Sequence, residues 1–392
     1  MGFSSDLPIT LPADDRFGLA PFAAAIAASV AGMDAPAGAV LAVNGEWGSG
    51  KSSAINLIRR HLEAEVANGN LVIVPFNPWW FSGSDALTLA FFHELNTAIG
   101  PSLPEKLRKS ISLLGQGISA AGAVAGALAN LKAPGVGEVL ASSMGLVGRL
   151  IPRERTVDEE HRIVSEALSK QKKRFLVIID DIDRLSPDDA LTIFRLVKSV
   201  GRLPNVIYLL AFDRQIAERI VSERFPSEGS SYLEKIVQGA FDIPPPLVDV
   251  LRQETLSSAT KIMGNPTDKQ EVRFMNLFFD VVAPMIRTPR DVVRLSNHLA
   301  TTWPALAGNI DRADYFGLTA LQLSEPRVYK AIRDNPEKLC GSGKSGGHRA
   351  NDSAQQYDML LGVSDRSERD RNRLRACRQL TPATSDFLVV RV

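Results

Sequence analysis

One eight-residue segment constrains the fold of this chain more than any other feature. It reads Gly45-Glu46-Trp47-Gly48-Ser49-Gly50-Lys51-Ser52. Glycines in such a segment let successive backbone N–H groups curl around an anion, because that path needs φ angles open mainly to glycine. The apolar run Ala39–Asn44 comes before it, and helical periodicity follows over residues 50–66. A buried strand, a glycine-rich turn and a helix N-terminus in this order predict a phosphate-binding loop in an α/β fold.

The same segment supplies the side chains that a nucleotide needs. Lys51 would bring positive charge to the β- and γ-phosphates, and the Ser52 hydroxyl would ligate Mg²⁺. Ser53 follows at the start of the helix and joins residues 45–52 in the predicted nucleotide-binding set. The helix dipole would add partial positive charge at the same place. We therefore predict a Mg-nucleotide site in which Lys51 is also a catalytic residue.

An apolar run that ends in acids is the second signal. Phe175–Ile179 contains no polar residue, and Asp180 and Asp181 follow it directly. Carboxylates at the carboxyl end of a buried parallel strand lie where Mg²⁺ sits beside a phosphate loop. Asp180 would hold the metal through its water shell, and Asp181 would act as general base toward the attacking water. The pattern alone would also fit a solvated acidic turn, and the phosphate loop upstream favours the catalytic interpretation.

Two further residues have both a functional and a structural interpretation. Asp213 follows shortly after the apolar run Val206–Ala211, where it would either sense the γ-phosphate or cap the next helix. Arg290 would either reach the γ-phosphate from a helical lid, as a catalytic residue, or form an exposed basic face with Arg294. The residue pattern leaves both pairs of alternatives open.

Apolar runs alternate with helical periodicity as far as residue 246. Strands are predicted at Ala39–Asn44, Leu71–Phe76, Phe175–Ile179, Val206–Ala211 and Phe241–Ile243. Helices are predicted at 14–31, 50–66, 85–98, 156–171, 187–200 and 214–224. Such alternation is typical of a mainly parallel sheet with helices on both faces. We assign 10–246 to a three-layer α/β/α domain, 247–333 to a smaller helical domain and 334–392 to a poorly structured C-terminal region.

Residues 101–155 interrupt this alternation between the second and third strands. Residues 111–131 contain no charged side chain, and an apolar run of about 18 residues or more is the usual sign of a membrane span. The run is rich in Ala, Gly and Ser, however, and includes Gln116 and Asn130. A helical hairpin packed on protein or on a partner is therefore favoured over spanning helices, although length alone leaves both open.

Composition weighs against several classes of function. The 45 Lys and Arg residues balance the 44 Asp and Glu residues, and the sequence carries no specific nucleic-acid signal. Five scattered histidines and two cysteines, Cys340 and Cys377, lack metal-ligand spacing. So few cysteines and the lack of a signal peptide indicate a reducing compartment. We expect a cytoplasmic protein, with or without membrane association through 101–155.

Five blocks of sequence together resemble the KAP family of P-loop NTPases, a branch of the STAND-like ATPases. The blocks are Gly45–Ser52, Phe76–Trp79, Ile179–Arg184, Ala211–Arg214 and Tyr232–Gln238, and they occur in family order. The stretch Thr288–Arg294, with Asn297 after it, resembles a further, distal block. The resemblance covers roughly residues 10–305.

The resemblance implies a 5-1-4-3-2 parallel sheet, ATP and Mg²⁺ as cofactors, and a helical lid formed by the second domain. It also accounts for the insertion, because KAP proteins carry an apolar, often membrane-spanning segment at the place of 101–155. Bacterial members similar to this chain occur in anti-phage defence systems, which suggests a defence role. The selection of ATP over GTP rests on this resemblance alone. We also expect protein partners or self-association.

Three functions remain open from the sequence. The first is an ATP phosphohydrolase that acts as a nucleotide-driven conformational switch, with slow hydrolysis and partners that respond to the bound nucleotide. The second is a motor ATPase stimulated by nucleic acid, which the balanced charge disfavours. The third is a non-catalytic scaffold that the nucleotide stabilises and that docks through 101–155. The intact phosphate loop and the paired acids favour the first.

Overall fold

The computed structural model describes residues 7–35, 37–102, 104–129, 156–200, 203–226 and 231–334. Its contacts divide the chain into one unit of Pro8–Pro244 and a second unit that contains the residues from Pro245 onward. The C-terminal region assigned from the sequence lies outside the described residues after Asp334. The first unit carries both the phosphate loop and the acidic strand end.

A five-stranded parallel sheet forms the centre of the first unit. Its strands are β1 (Ala39–Asn44), β2 (Leu71–Phe76), β3 (Arg174–Ile179), β4 (Val206–Phe212) and β5 (Gly239–Asp242). The order across the sheet is β2-β3-β4-β1-β5, and every neighbouring pair is parallel. Read from the other edge this order is 5-1-4-3-2. The predicted fold class and strand order are therefore confirmed.

Helices connect the strands of the first unit. They are α1 (Ala20–Gly32), α2 (Lys51–His61), α3 (Glu63–Ala67), α4 (Ser84–Ile99), α5 (Glu105–Ala129), α6 (Val157–Ser169), α7 (Pro187–Val200), α8 (Arg214–Arg224) and α9 (Ser231–Glu234). The helix predicted at 14–31 starts later, because Pro12–Asp14 forms a separate 3-10 turn. Asp15 still assists that start, since its Oδ2 accepts a hydrogen bond from the Ala20 N–H at 2.7 Å. The helix predicted at 50–66 is divided at Leu62.

Two hydrophobic layers cover the two faces of the sheet. Along β4, side chains alternate between the layers, with Tyr208 and Leu210 in one and Leu209 and Ala211 in the other. Helices α4 and α7 contribute to the first layer, and α1 and α2 contribute to the second. Burial on both faces explains why the central strands read as continuous apolar runs.

The 101–155 insertion begins with the long helix α5, which packs against α4 and α6. A Cβ on Gly115 would lie 2.7 Å from the Cβ of Phe92, so this position needs a small residue where the helices approach. No helix among the described residues is long and apolar enough to cross a membrane. The second half of the predicted hairpin, residues 130–155, lies outside the described residues.

The second unit consists of helices in its described part. They are α10 (Val248–Met263), α11 (Asp268–Leu277), α12 (Pro289–Leu306), α13 (Arg312–Ser324) and α14 (Pro326–Asp334), with a π-helical turn at Phe278–Val282. The rings of Phe274, Phe278 and Phe316 stack in its core. Thr288 and Asp291 form a reciprocal capping box that fixes the first turn of α12.

Candidate functional site

The loop between β1 and α2 has the backbone of a phosphate cradle. Gly48 and Gly50 have φ angles of 87° and 102°, in the left-handed region that favours glycine. Gly45 is needed for space instead, since a Cβ there would lie 2.3 Å from Ser49 Oγ and 3.1 Å from Ile243 Cδ1. The glycines of the motif therefore meet two different requirements: a left-handed φ angle at Gly48 and Gly50, and the absence of a side chain at Gly45.

Neighbouring strands hold the base of this loop from both sides. The Gly45 N–H donates to the carbonyl of Phe212 on β4 at 3.2 Å. On the other side, the Asn44 side chain donates to Asp242 Oδ1 on β5 at 3.1 Å. The loop is thus fixed to the sheet before any ligand arrives, which lowers the entropy that binding must overcome.

Helix α2 starts at the end of the loop, with Gly50 at its N-cap and no side chain capping it. Ser49 Oγ is buried and has no hydrogen-bond partner among the described residues. A helix start that lacks a side-chain cap leaves backbone N–H groups available to an anion. These features fit phosphate oxygens as the missing acceptors.

Ser52 and Ser53 both lie on the first turn of α2 and are half-buried. Ser53 Oγ accepts a hydrogen bond from the Ile9 N–H at 3.3 Å, and Asn56 donates to the Ile9 carbonyl at 3.1 Å. Ser53 therefore holds the segment before α1 against α2, and its contact with nucleotide stays a prediction. Ser52 remains the predicted hydroxyl ligand for Mg²⁺.

Lys51 folds back over the loop, and its side chain is only 8% exposed. Its ammonium donates to the carbonyl of Gly45 at 2.8 Å and to that of Glu46 at 3.4 Å. The same Nζ lies 3.0 Å from Oδ2 of Asp183. Lys51 thus joins the phosphate loop to the acidic segment that follows β3.

That acidic segment turns sharply after the strand. Asp181 adopts a left-handed φ of 60°, which is uncommon for a residue other than glycine, and its N–H donates to Asp180 Oδ1 at 2.8 Å. Asp181 Oδ1 lies 2.7 Å from Nε of Arg184. Burial raises the pKa of the Asp181 carboxyl, the charge of Asp180 raises it further, and Arg184 opposes both effects. A raised pKa makes a carboxylate a stronger base, which suits the predicted role.

Asp183 is the residue of the site that the sequence reasoning missed. Its side chain is 1% exposed, and neither carboxylate oxygen forms a hydrogen bond with the described residues, although the Lys51 ammonium is within ion-pair distance. The apolar run drew attention to the two acids directly after it. A 3-10 turn over Ile182–Arg184 brings the third acid back toward the loop. The acids on both sides of the apolar Ile182 were the sequence signal from which Asp183 could have been identified.

Arg184 links the acidic segment to the exposed surface of the loop. Its guanidinium carbon lies 5.0 Å from the ring centroid of Trp47, over the ring face, while its Nε pairs with Asp181. Trp47 is 49% exposed, so it forms part of the outer wall of the loop. Its direct contact with a nucleotide, like that of Glu46, stays a prediction.

Asp213 is placed at the site but already has a structural role. It is 8% exposed, and its Oδ1 accepts from the N–H groups of Gln215 and Ile216 at 2.9 and 3.3 Å. It therefore caps α8, as the structural alternative predicted. It also directly follows Phe212, whose carbonyl holds Gly45. A sensing role for Asp213 stays a prediction.

Arg290 belongs to the second unit, where it lies in the first turn of α12. The capping box of Thr288 and Asp291 explains why the helix begins there. The role of Arg290 at the γ-phosphate stays a prediction.

The donor set of the first unit suits a magnesium ion that arrives with a nucleotide. No group of three or more His, Cys, Asp or Glu side chains suited to holding a metal occurs among the described residues. Mg²⁺ does not need such a cage, since it keeps several waters and binds through one or two protein oxygens plus phosphates. Ser52 and Asp180 would supply those oxygens.

Comparison with known proteins bears on the family to which the chain is similar. The KAP family P-loop domain matches residues 19–306 of the chain. The phage T7 exclusion protein of Escherichia coli K12 is 27% identical over 351 residues, which cover 81% of this chain and 45% of that protein. The chain therefore spans less than half the length of this curated relative.

Solved structures of low sequence similarity also align with the chain. The Aeropyrum pernix ORC2 protein in its ADP form is 14% identical with a TM-score of 0.42, and the alignment covers 98% of this chain and 88% of that one. Drosophila ORC bound to DNA is 11% identical with a TM-score of 0.40, and the alignment covers 97% and 87%. The fold assignment rests on the strand order and direction of the sheet itself.

Proposed function

The chain belongs to the KAP family of P-loop NTPases, and on that premise we propose that it binds Mg-ATP, hydrolyses it slowly and acts as a nucleotide-driven switch. One observation carries the proposal. The Lys51 ammonium of the phosphate loop lies 3.0 Å from Asp183, which belongs to the 3-10 turn after the paired acids. The phosphate-binding and acidic elements, which are far apart in sequence, therefore meet in one site.

Each site residue has a distinct part in the proposed reaction. The loop amides and Lys51 bind and orient the β- and γ-phosphates. Ser52, and Asp180 through water, would hold the Mg²⁺ that arrives with the nucleotide, which would neutralise part of the phosphate charge as a Lewis acid. Asp181 accepts the proton of the attacking water. Arg290 is proposed to stabilise the charge of the γ-phosphate and Asp213 to sense its presence, so that its loss is coupled to motion of the helical unit.

The switch is favoured over the other two candidate functions by the described residues. The Asp181 carboxyl, whose pKa is raised by burial, would serve as a base, and a scaffold that the nucleotide only stabilises would not need one. The formal charge of +1 gives no electrostatic attraction for a polyanion, which disfavours a nucleic-acid motor. An ATPase rate that rises with DNA or RNA in low salt would favour the motor instead.

The hydrolytic part of the proposal is tested by Asp181→Asn with Arg184→Gln as its matched control. Both variants break the pair between Asp181 and Arg184, but only the first removes the carboxylate. We expect Asp181→Asn to bind Mg-ATP and to lose hydrolysis by about 10²-fold or more. Arg184→Gln should retain a substantial part of the wild-type rate. Binding is measured by calorimetry and turnover by phosphate release.

An equal loss of activity in the two variants would show that the ion pair, rather than the base, is what matters at this position. A wild type that binds Mg-ATP but never hydrolyses it, even with partner or membrane fractions restored, would favour the scaffold. Turnover of tens per second without any partner would contradict the switch, because such rates are those of an ordinary metabolic enzyme.

The resemblance to the phage T7 exclusion protein supports a defence role as part of the same proposal. A switch that withholds its effect until infection would fit slow turnover and a nucleotide-held state. Cells that carry the wild-type gene should plate phage less efficiently than cells with Lys51→Ala. Equal protection by both would show that nucleotide binding is not needed, as the scaffold function predicts.

A further inference from the structure

The buried pair of Lys51 and Asp183 is the strongest unexplained feature of the first unit. The side chains are 8% and 1% exposed, and the charged atoms are 3.0 Å apart. Both Asp183 oxygens are buried without a hydrogen bond from any described residue. A buried carboxylate normally collects several hydrogen bonds, so this one depends strongly on the ammonium beside it.

The guanidinium of the next residue in the chain already has other partners. Arg184 follows Asp183 directly, yet its Nε lies 2.7 Å from Asp181 and its guanidinium stacks on Trp47. Lys51 itself also donates to the carbonyls of Gly45 and Glu46. The ammonium that the phosphates need therefore already contacts two carbonyl oxygens and one carboxylate.

Bound phosphate would disturb this arrangement in a specific way. The Lys51 ammonium would interact with the phosphates and would then compensate less of the negative charge of Asp183. The phosphates would also bring further negative charge close to Asp183. The carboxylate would then be buried with insufficient compensation, which is the most unfavourable state for an ion pair. A divalent cation that binds with the nucleotide would compensate this excess negative charge, because it adds positive charge close to the phosphates.

We propose that Asp183 is an internal counter-ion of Lys51 that makes the site select the metal-loaded nucleotide and reject the metal-free one. This inference rests on the proposed nucleotide binding and adds a specificity-determining residue to it. Asp183 acts through Lys51 and through electrostatic repulsion, so it does not need to contact the reacting atoms. Its effect is on the affinity for metal-free nucleotide rather than on hydrolysis.

Calorimetric titration with ADP, once in EDTA and once in MgCl₂, tests this inference without any turnover. Asp183→Asn removes the charge and keeps the size of the side chain. We expect it to strengthen ADP binding in EDTA by about tenfold or more, because neighbouring unit charges at a partly buried site interact by more than that factor. Binding in MgCl₂ should change much less, so the ratio of the two affinities falls toward one.

Asp188→Asn is the matched control, since it removes one exposed carboxylate from α7 and leaves the pair intact. It should change neither affinity by more than about twofold, because charges separated by water are screened. If Asp183→Asn does not fold, Asp183→Ser removes the same charge with a smaller side chain and is measured in its place.

Three outcomes would overturn the inference. Unchanged ADP affinity of Asp183→Asn in EDTA would show that the pair survives nucleotide binding. A loss confined to MgCl₂ would identify Asp183 as a simple metal ligand. Failure of the wild type to bind ADP in either buffer would refute the proposed function together with this inference, whereas the first two results would leave nucleotide binding intact.

Discussion

Single glycines and acids determine the shape of the phosphate site. Gly48 and Gly50 need φ angles that other residues rarely adopt, whereas Gly45 needs space beside Ser49 and Ile243. Asp183 needs a positive charge within reach, since its oxygens are buried. These requirements are local, and each can be tested by one substitution.

Gly45→Ala should weaken nucleotide binding without unfolding the chain. The new Cβ would press against the side chains of Ser49, Ile243 and Lys51, at 2.3, 3.1 and 3.3 Å from their nearest atoms. The loop would have to shift, and overpacking of this kind costs about 1–3 kcal/mol. Titration with Mg-ADP measures the resulting loss of affinity.

Gly32→Ala is the control for that experiment. Gly32 ends α1 and has no left-handed φ, and a Cβ added to it would meet no other atom within 4 Å. The substitution should leave affinity unchanged and stabilise the fold slightly, by up to about 1 kcal/mol. Equal losses of affinity in the two variants would contradict the steric account of Gly45.

The sequence predicted two of the five strands to the residue. β1 and β2 have the predicted bounds, while β3 and β4 each extend by one residue. β5 was placed too late, because its residues alternate between half-buried and exposed and give no continuous apolar run. An edge strand has one unpaired side, so packing alone does not mark its limits.

The helical unit contains an acid whose charge should make its stability depend on pH. Asp314 is 3% exposed on α13, and burial raises the pKa of its carboxyl to about 6, although Arg273 opposes the rise. A carboxyl with a raised pKa in the folded state binds a proton more tightly there than in the unfolded chain. Its ionisation therefore destabilises the fold as pH rises from about 4 to above 6.

We expect Asp314→Asn to gain stability relative to wild type as pH rises from 5 to 7.5, by about 1 kcal/mol after allowance for partial solvent screening. Urea unfolding of the full chain at the two pH values measures the difference. A relative stability that is independent of pH would mean that the ion pair with Arg273 fully compensates the burial of Asp314.

For the whole molecule, nucleotide binding should appear as added stability of the first unit. A ligand that binds only the folded state at a hundred times its Kd adds about 2.7 kcal/mol, or roughly 5 °C in Tm. Mg-ADP should therefore raise the transition of the wild type, and Lys51→Ala should abolish the shift. Scanning calorimetry is the measurement, with Lys109→Ala as a control, since Lys109 is exposed and pairs only with Glu105 among the described contacts.

The same scan informs on the two units. They separate after Pro244 by their internal contacts. A shift confined to one of two transitions would mean that the helical unit unfolds independently of the nucleotide. A single transition that shifts as a whole would mean that the units unfold together, which is what a switch that couples them requires.

Residue order alone was enough to predict the parallel sheet and the phosphate loop, and the family resemblance implied the strand order. The sheet and the loop follow from local rules, because apolar runs buried on both faces and glycines with special φ angles leave direct marks on residue order. The acid that pairs with Lys51 could be identified only from the folded chain. That contact joins residues 132 positions apart through a turn after β3, and nothing in their spacing records it. The tertiary structure also shows that Asp213 caps α8 and that Ser53 accepts a hydrogen bond from the Ile9 N–H. Residue order could not decide these two contacts, because a polar side chain can form several different hydrogen bonds and its neighbours in space select among them.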